Sequence, residues 1–214
     1  IDNSDFETYL VNEGFSLYND YRSNYFSTIS SNASLFSMKH HYYNKLQFKS
    51  IESFKSRHII AGNNPVIEIF KNNNYKTSLI FESEYLIVNR PKMNYDYSNI
   101  HYKDMPYLSN GFDIKRNLVD DIKTAIQLNT ESKNFYFIEK ILPGHIAQSR
   151  FNNAGKVQER LLYIDRIKES NMWLKSMIET IEKEDSNSLI VIMADHGGFV
   201  GMNSIYEAKI KQED

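Results

Sequence analysis

An unbroken apolar run near the C-terminus, Leu189–Met193, limits the folds open to this chain more than any other stretch. A strand with one face in water alternates apolar and polar residues, and this run does not alternate. We therefore predict a strand that is buried on both faces, as in a parallel sheet flanked by helices. Asp195 and His196 follow the run, and open α/β sheets bind their ligands beyond the carboxyl ends of the strands.

Helix and strand patterns alternate along the rest of the chain. Pro65 begins a short helical pattern, and Tyr75–Phe81 is rich in strand-forming residues. A helix is predicted from about Ile114 to Leu128, and a second strong strand follows over Phe135–Leu142. Apolar residues then recur every three or four positions over Val157–Ile181, as on one face of a long helix. This alternation predicts an α/β fold, a three-layer α/β/α sandwich around a mostly parallel sheet.

Three further features complete the outline of the fold. Residues 5–13 are predicted to form a helix that ends at Gly14, and residues 15–18 are predicted to form a short strand. Residues 84–111 are aperiodic and rich in tyrosine, which predicts an irregular insertion. The sequence contains no internal repeat and no low-complexity linker, so we predict a single domain over residues 1–214.

The charge balance and the cysteine count exclude several kinds of function. The chain has 25 Lys and Arg residues against 27 Asp and Glu residues, and it contains no basic run, so we expect no nucleic-acid partner. It has no cysteine, which excludes disulfides, thiolate zinc sites and cysteine nucleophiles. No stretch of about 18 apolar residues is present, so the sequence predicts no transmembrane helix within these residues.

Candidate functional residues stand at the predicted carboxyl edge of the sheet. Asp195 and His196 offer a carboxylate oxygen and an imidazole nitrogen, which suit a divalent cation, although a capping Asp and an ordinary loop histidine explain the pair equally well. His145 follows the second predicted strand and would reach the same edge. Thr28 lies near a predicted helix N-terminus, where unpaired N–H groups suit an anion. For Thr28 alone, a plain N-cap is the simpler interpretation.

Four stretches, in order along the chain, resemble the sulfatase-like branch of the alkaline phosphatase superfamily, in particular bacterial membrane-anchored sulfatase-like and lipoteichoic-acid-synthase-like proteins. Residues 1–38 resemble the segment that carries the nucleophile, and residues 135–148 resemble the strand that ends in a substrate-facing or ligand histidine. Residues 159–183 resemble the long helix before the last metal strand, and residues 188–198 carry the Asp-His-Gly metal motif. Together they span nearly the whole chain.

The resemblance assigns roles to individual residues. Thr28 matches the nucleophile, which in the family also contacts the metal. Asp195 and His196 match the paired metal ligands. His145 matches the histidine that contacts the substrate or completes the site.

The resemblance also implies partners for this site. Arg22 and Asn24 lie close to Thr28 in sequence and are candidates for binding an anionic substrate, although a surface arginine is the commoner alternative. A divalent cation is implied, whether Mn, Zn, Mg or Ca, together with a phosphate- or sulfate-ester substrate. The family further implies an extracytoplasmic domain of a bacterial membrane protein, attached to the membrane only through segments outside these residues.

The identity of the nucleophile separates two chemistries. Sulfatases that use formylglycine make it from Cys or Ser, and a threonine cannot yield that aldehyde. Thr28 therefore predicts metal-dependent phosphoryl-group transfer or phosphoester hydrolysis, and sulfate-ester hydrolysis on the same fold is the alternative. A non-catalytic sulfatase-like module, which keeps the fold without a working site, is a third interpretation.

The chain departs from the family pattern at both ends. An acidic metal ligand and its strand are expected upstream of Ile1, and closing strands are expected after the Asp-His-Gly motif. We therefore expect an incomplete domain that binds metal poorly and is inactive by itself. A missing strand exposes a sheet edge, so we also expect self-association through that edge.

Overall fold

The computed structural model describes residues 1–40, 49–107, 116–130, 133–144, 155–198 and 200. The helices within these ranges are α1 (Ser4–Asn12), α2 (Thr28–Ser37), α3 (Lys49–Ile60), α4 (Pro65–Asn72), α5 (Leu118–Gln127) and α6 (Gly155–Glu184). The strands are β1 (Tyr75–Phe81), β2 (Tyr97–Ser98) and β3 (Lys133–Glu139), and short 3₁₀ helices cover Glu84–Ile87 and Tyr102–Asp104.

The chain divides into two compact units. The first comprises Ile1–Ser23, Leu142–Ser176 and Gly197–Asp214, and the second comprises Asn24–Ile141 and Met177–His196. The organisation as one domain over residues 1–214 stays a prediction. Among the described residues, no helix is both long enough and apolar enough to cross a lipid bilayer.

The second unit contains a parallel sheet whose described strands have the order β2-β1-β3. β1 is the central strand, and its residues from Thr77 to Phe81 are buried. Phe81 lies opposite Glu139 in the register, so the carboxyl ends of β1 and β3 meet at one edge. Helices α4 and α5 contact β1. The predicted parallel α/β fold is therefore confirmed.

The segment from α4 to β1 shows how local sequence signals produce these elements. Asn64 is the N-cap of α4, and its side-chain oxygen accepts a hydrogen bond from the Ile67 N–H at 2.9 Å. Pro65 occupies the first turn, where no backbone donor is needed. Asn74 has a left-handed conformation, with a φ of 63°, just before β1 begins. The predicted helix start and the predicted strand are both confirmed.

The core of the second unit joins α2, the end of α3 and β1. Phe36 of α2 packs edge-on against Phe137 of β3, with ring centroids 4.6 Å apart. Residues 84–105 are irregular apart from short elements, yet several of their apolar side chains belong to the core. The core cluster comprises Ile29, Ala33, Ile60, Leu79, Phe81, Leu86, Ile87, Ile100 and Met105. Burial of these side chains fixes α2, and with it Thr28, against β1.

The apolar run Leu189–Met193 differs from its prediction. It pairs with no strand in the described part of the chain, and most of it is exposed. Leu189 is 92% exposed, Val191 74% and Met193 42%. The prediction of a buried strand is wrong here because an apolar pattern expresses only a preference for burial. A strand forms where a neighbouring strand satisfies its backbone hydrogen bonds.

Other boundaries shift by a few residues. The helix predicted over 114–128 is observed as α5, and the strand predicted over 135–142 is observed as β3. The predicted long helix is α6, which extends beyond its prediction at both ends. Residues 15–18 form no strand. In the first unit, α1 ends before Gly14, whose φ of 86° is one that glycine adopts readily, as predicted.

Candidate functional site

Thr28 is the first residue of α2, at the end of the helix that carries the positive half of its dipole. Ser27, rather than Thr28, is the N-cap, and its side chain caps none of the described N–H groups. The N–H groups of the first helical turn lack partners within the helix and suit an anion. Thr28 therefore places a hydroxyl at a helix terminus that favours negatively charged ligands.

Asp195 and His196 meet Thr28 at this point of the second unit. Nε2 of His196 lies 3.2 Å from Oγ1 of Thr28 and 3.5 Å from Oδ2 of Asp195. The His196 side chain is only 8% exposed, whereas that of Asp195 is 30% exposed. A hydroxyl, an imidazole and a carboxylate thus converge on one position that remains partly open to solvent.

Hydrogen bonds hold the Asp195–His196 segment against α2. Ser31, one helical turn after Thr28, donates from its hydroxyl to the Asp195 carbonyl at 2.5 Å. The His196 N–H donates to Oδ1 of Asp195 at 3.0 Å. Because Oδ1 is engaged in this way, Oδ2 is the carboxylate oxygen that faces the imidazole.

Glu139 brings a second carboxyl group to the same region. It is the last residue of β3, and it accepts a hydrogen bond of 3.5 Å from Nδ2 of Asn32, which also donates to the Thr28 carbonyl at 3.1 Å. The Glu139 side chain is partly buried at this position. This burial, with the negative charge of Asp195, raises the pKa of Glu139 to about 8, and the Asn32 hydrogen bond lowers it only in part.

The groups at Thr28 are of types that a divalent cation accepts, but among the described residues they form an incomplete ligand set. Ligands that bind a tetrahedral metal at about 2.1 Å lie about 3.4 Å from one another. The separations of 3.2 Å and 3.5 Å around His196 Nε2 match that spacing. Oxygen atoms with an imidazole nitrogen are also a donor set that such cations accept. Among the described residues, no group of three or more His, Cys, Asp and Glu side chains is arranged to hold a metal ion, so the set depends on the Thr28 hydroxyl.

For the other predicted site residues, the described structure gives no contact with Thr28, Asp195 or His196. Asn24 is exposed, and its amide donates to the Ser34 hydroxyl at 2.8 Å. Arg22 belongs to the first unit and is exposed. His145 falls outside the residues that the structure describes. Substrate contacts by Arg22, Asn24 and His145 therefore stay predictions.

Three polar residues of the site were missed by the sequence analysis: Ser31, Asn32 and Glu139. Thr28, Ser31 and Asn32 are three and four positions apart and so share one face of α2, a spacing that is visible in the stretch TISSN. Glu139 lies inside the strand that the sequence predicts over Phe135–Leu142, whereas the observed strand ends at Glu139. The rule that singled out Asp195, a carboxylate after a predicted strand, therefore finds Glu139 only when the end of the strand is known.

Comparison with known protein families matches residues 3–214 to the family described as Sulfatase. No curated protein and no solved structure matches the chain. The family match covers nearly the whole chain, including α2 and the Asp195–His196 segment. The parallel α/β sheet of the second unit agrees with this assignment. The chain belongs to the sulfatase family.

Proposed function

We propose that this domain is a metal-dependent phosphoryl-group transferase or phosphoester hydrolase with Thr28 as its nucleophile. The observation that carries the proposal is the 3.2 Å separation between Thr28 Oγ1 and His196 Nε2 at the N-terminus of α2. A hydroxyl is a weak nucleophile by itself and needs an adjacent base or a metal ion. Membership of the sulfatase family supports ester chemistry on an anionic substrate.

The proposed reaction is an exchange of one phosphate ester for another. A divalent cation bound by Thr28, Asp195 and His196 would lower the pKa of the hydroxyl and neutralise charge on the phosphoryl group. Oγ1 forms a bond to phosphorus as the bond between phosphorus and the ester oxygen breaks. The threonine proton passes through solvent to the departing oxygen, so the products are a phosphothreonine and an alcohol. Transfer of the phosphoryl group to water or to a second alcohol regenerates the hydroxyl.

The start of α2 supports binding of the phosphoryl oxygens in this scheme. Its N–H groups and dipole favour negative charge, and Thr28 presents its hydroxyl at the same terminus. The nucleophile therefore stands beside the group that it attacks once the anion is bound. In the proposal, Arg22 and Asn24 add contacts to the substrate, and His145 orients the substrate or its leaving group.

Sulfate-ester hydrolysis is the alternative, and the family assignment favours it by name. Formylglycine, however, requires a Cys or Ser precursor. The chain has no cysteine, and the residue at the start of α2 is a threonine. We therefore favour phosphate esters. An extracytoplasmic location in a bacterial membrane protein, with a lipid-linked or glycan-linked phosphate as substrate, is part of the same proposal.

Covalent capture of the phosphoryl group on the protein tests whether Thr28 is the nucleophile, even where turnover is slow. The chain is incubated with Mn²⁺ and p-nitrophenyl phosphate, bis(p-nitrophenyl) phosphate or p-nitrophenyl sulfate, and mass spectrometry with peptide mapping locates any adduct. We expect a phosphate adduct on Thr28 from the phosphate esters and none from the sulfate ester.

Two variants act as controls for this capture. Thr28→Ala should abolish the adduct, whereas Ser30→Ala removes a nearby hydroxyl from the same helix and should retain it. An adduct from the sulfate ester alone would favour the sulfatase alternative. No adduct from any ester would contradict the proposal for this chain, and it would agree both with the non-catalytic module and with the expectation that the domain is inactive by itself.

A further inference from the structure

The buried polar side chains of α2 divide into two kinds by the groups to which they donate. Ser34 and Ser37 donate to carbonyl groups of the helix itself. Ser31 and Asn32, each 6% exposed, also donate to groups outside the helix. Burial of a polar side chain is costly unless it is hydrogen-bonded, and an apolar side chain would pack at these positions without that cost. The two outward contacts therefore call for an explanation beyond packing.

Ser31 and Asn32 flank Thr28 around the axis of α2. At 3.6 residues per turn, each residue is rotated by about 100° from the one before it. Ser31 is thus about 60° from Thr28 on one side, and Asn32 is about 40° from it on the other side. The Thr28 hydroxyl lies between these directions, with Oγ1 at 3.2 Å from Nε2 of His196. A rotation of the helix about its axis would break one of the two outward contacts.

Asn32 provides the contact on the side of β3. Its Nδ2 lies 3.1 Å from the Thr28 carbonyl oxygen and 3.5 Å from Oε1 of Glu139, the last residue of β3. An amide nitrogen carries two hydrogens, so it can donate to both oxygens. The first bond holds the amide on the first turn of α2, and the second, longer bond joins that turn to the strand end. β3 is itself fixed by its pairing with β1 along its whole length.

We propose that Asn32 is a positioning residue for the Thr28 hydroxyl. The inference rests on the proposed function and adds to it the contact that sets the direction of the nucleophile. Asn32 acts through the first turn of α2, and Ser31 fixes the same turn from the other side by its bond to the Asp195 carbonyl. Because a displacement of about 1 Å in a reacting group can lower a rate about a hundredfold, one such contact can be decisive.

Asn32→Leu tests this inference, since leucine has a similar shape but no amide donor. The first measurement is the nuclear Overhauser effect between the Thr28 γ-methyl group and the ring protons of His196, which reports their distance without any turnover. We expect the effect to be lost or strongly weakened in Asn32→Leu. Ser37→Ala removes another buried hydrogen-bonding group from α2 and should retain the effect.

The second measurement is the rate at which p-nitrophenyl phosphate forms phosphothreonine at Thr28 in Mn²⁺. We expect this rate to fall about tenfold or more in Asn32→Leu and to be unchanged in Ser37→Ala. A structural role alone would lower the melting temperature and leave the rate of the folded protein unchanged. An Overhauser effect and a rate in Asn32→Leu equal to those in Ser37→Ala would overturn the inference.

Variants of Glu139 examine the same contact from β3. Glu139→Leu removes the acceptor and should reproduce the effect of Asn32→Leu, so it serves as the test if Asn32→Leu does not fold. Glu139→Gln keeps an acceptor oxygen and should retain the Overhauser effect. If the wild type forms no phosphothreonine, the proposed function fails, and the Overhauser effect alone decides whether Asn32 positions the hydroxyl. If Asn32→Leu forms phosphothreonine as fast as the wild type, the inference fails and the proposed function stands.

Discussion

Oγ1 of Thr28 and Nε2 of His196 lie 3.2 Å apart although 168 positions separate them in the chain. Neither residue is part of a strand, since Thr28 begins α2 and His196 follows the exposed run Leu189–Met193. The Ser31 hydroxyl, which donates to the Asp195 carbonyl, ties the two segments together. The position of the Thr28 hydroxyl relative to the His196 imidazole therefore depends on α2 and its polar face.

Ser31→Ala should weaken the site without unfolding the domain. The variant loses one side-chain hydrogen bond, which contributes about 1 kcal/mol, and the Asp195–His196 segment becomes less well held. If that loss is expressed fully in binding, the affinity for Mn²⁺ falls about fivefold. Calorimetric titration measures the change, with Ser30→Ala as the control on the same helix. Equal affinities for the two variants would show that Ser31 does not position the segment.

The stability of the metal-free protein should decrease as the pH rises toward 8. The pKa of Glu139 is raised from an ordinary value of 4.5 to about 8 in the folded state. Between these values the folded protein holds a proton that the unfolded chain has released, so linkage lowers the free energy of unfolding with increasing pH. Above about pH 8 this contribution is constant. Urea unfolding in chelator should give a flatter pH profile for Glu139→Gln than for the wild type, and parallel profiles would contradict the assignment.

The parts of the fold that could be predicted depend on signals local in sequence. Asn64 and Pro65 specify the start of α4, and the pattern of Tyr75–Phe81 specifies β1, whatever the rest of the chain does. The exposure of Leu189–Met193 could not be predicted in this way. A buried strand needs a neighbour on each side, and the pattern within a strand does not report whether the neighbours are present.

The same distinction, between signals local in sequence and features that depend on tertiary neighbours, applies to the candidate site. Thr28, Asp195 and His196 were identified because their residue types and motif suit metal and ester chemistry. The environment of Glu139 was not predicted, because it depends on the register of β3 with β1 and on which face of α2 turns toward the strand end. The pKa of a carboxyl group departs from its ordinary value only through such surroundings.

Arg116→Met should destabilise the second unit substantially. Arg116 pairs with Glu84 at 2.9 Å, and the Glu84 side chain is buried. Removing the arginine leaves a buried carboxylate without its counter-charge, which typically costs about 3–5 kcal/mol. Urea unfolding measures the loss, with Arg160→Met at an exposed position of α6 as the control. A second change, Glu84→Gln, should recover much of the stability in the Arg116→Met background, and a variant as stable as Arg160→Met would contradict the prediction.

Self-association should proceed through the exposed run Leu189–Met193. Leu189 and Val191 are 92% and 74% exposed, and the run has no strand partner in the described part of the chain. Apolar segments with free backbone groups pair with other chains unless charge or proline intervenes. Light scattering should show a mass that rises with protein concentration, and Val191→Lys should lower it toward the monomer mass. Val157→Lys introduces the same charge at a 77% exposed position of α6 and should leave the association unchanged. A monomer mass for the wild type at every concentration would show that the run does not associate.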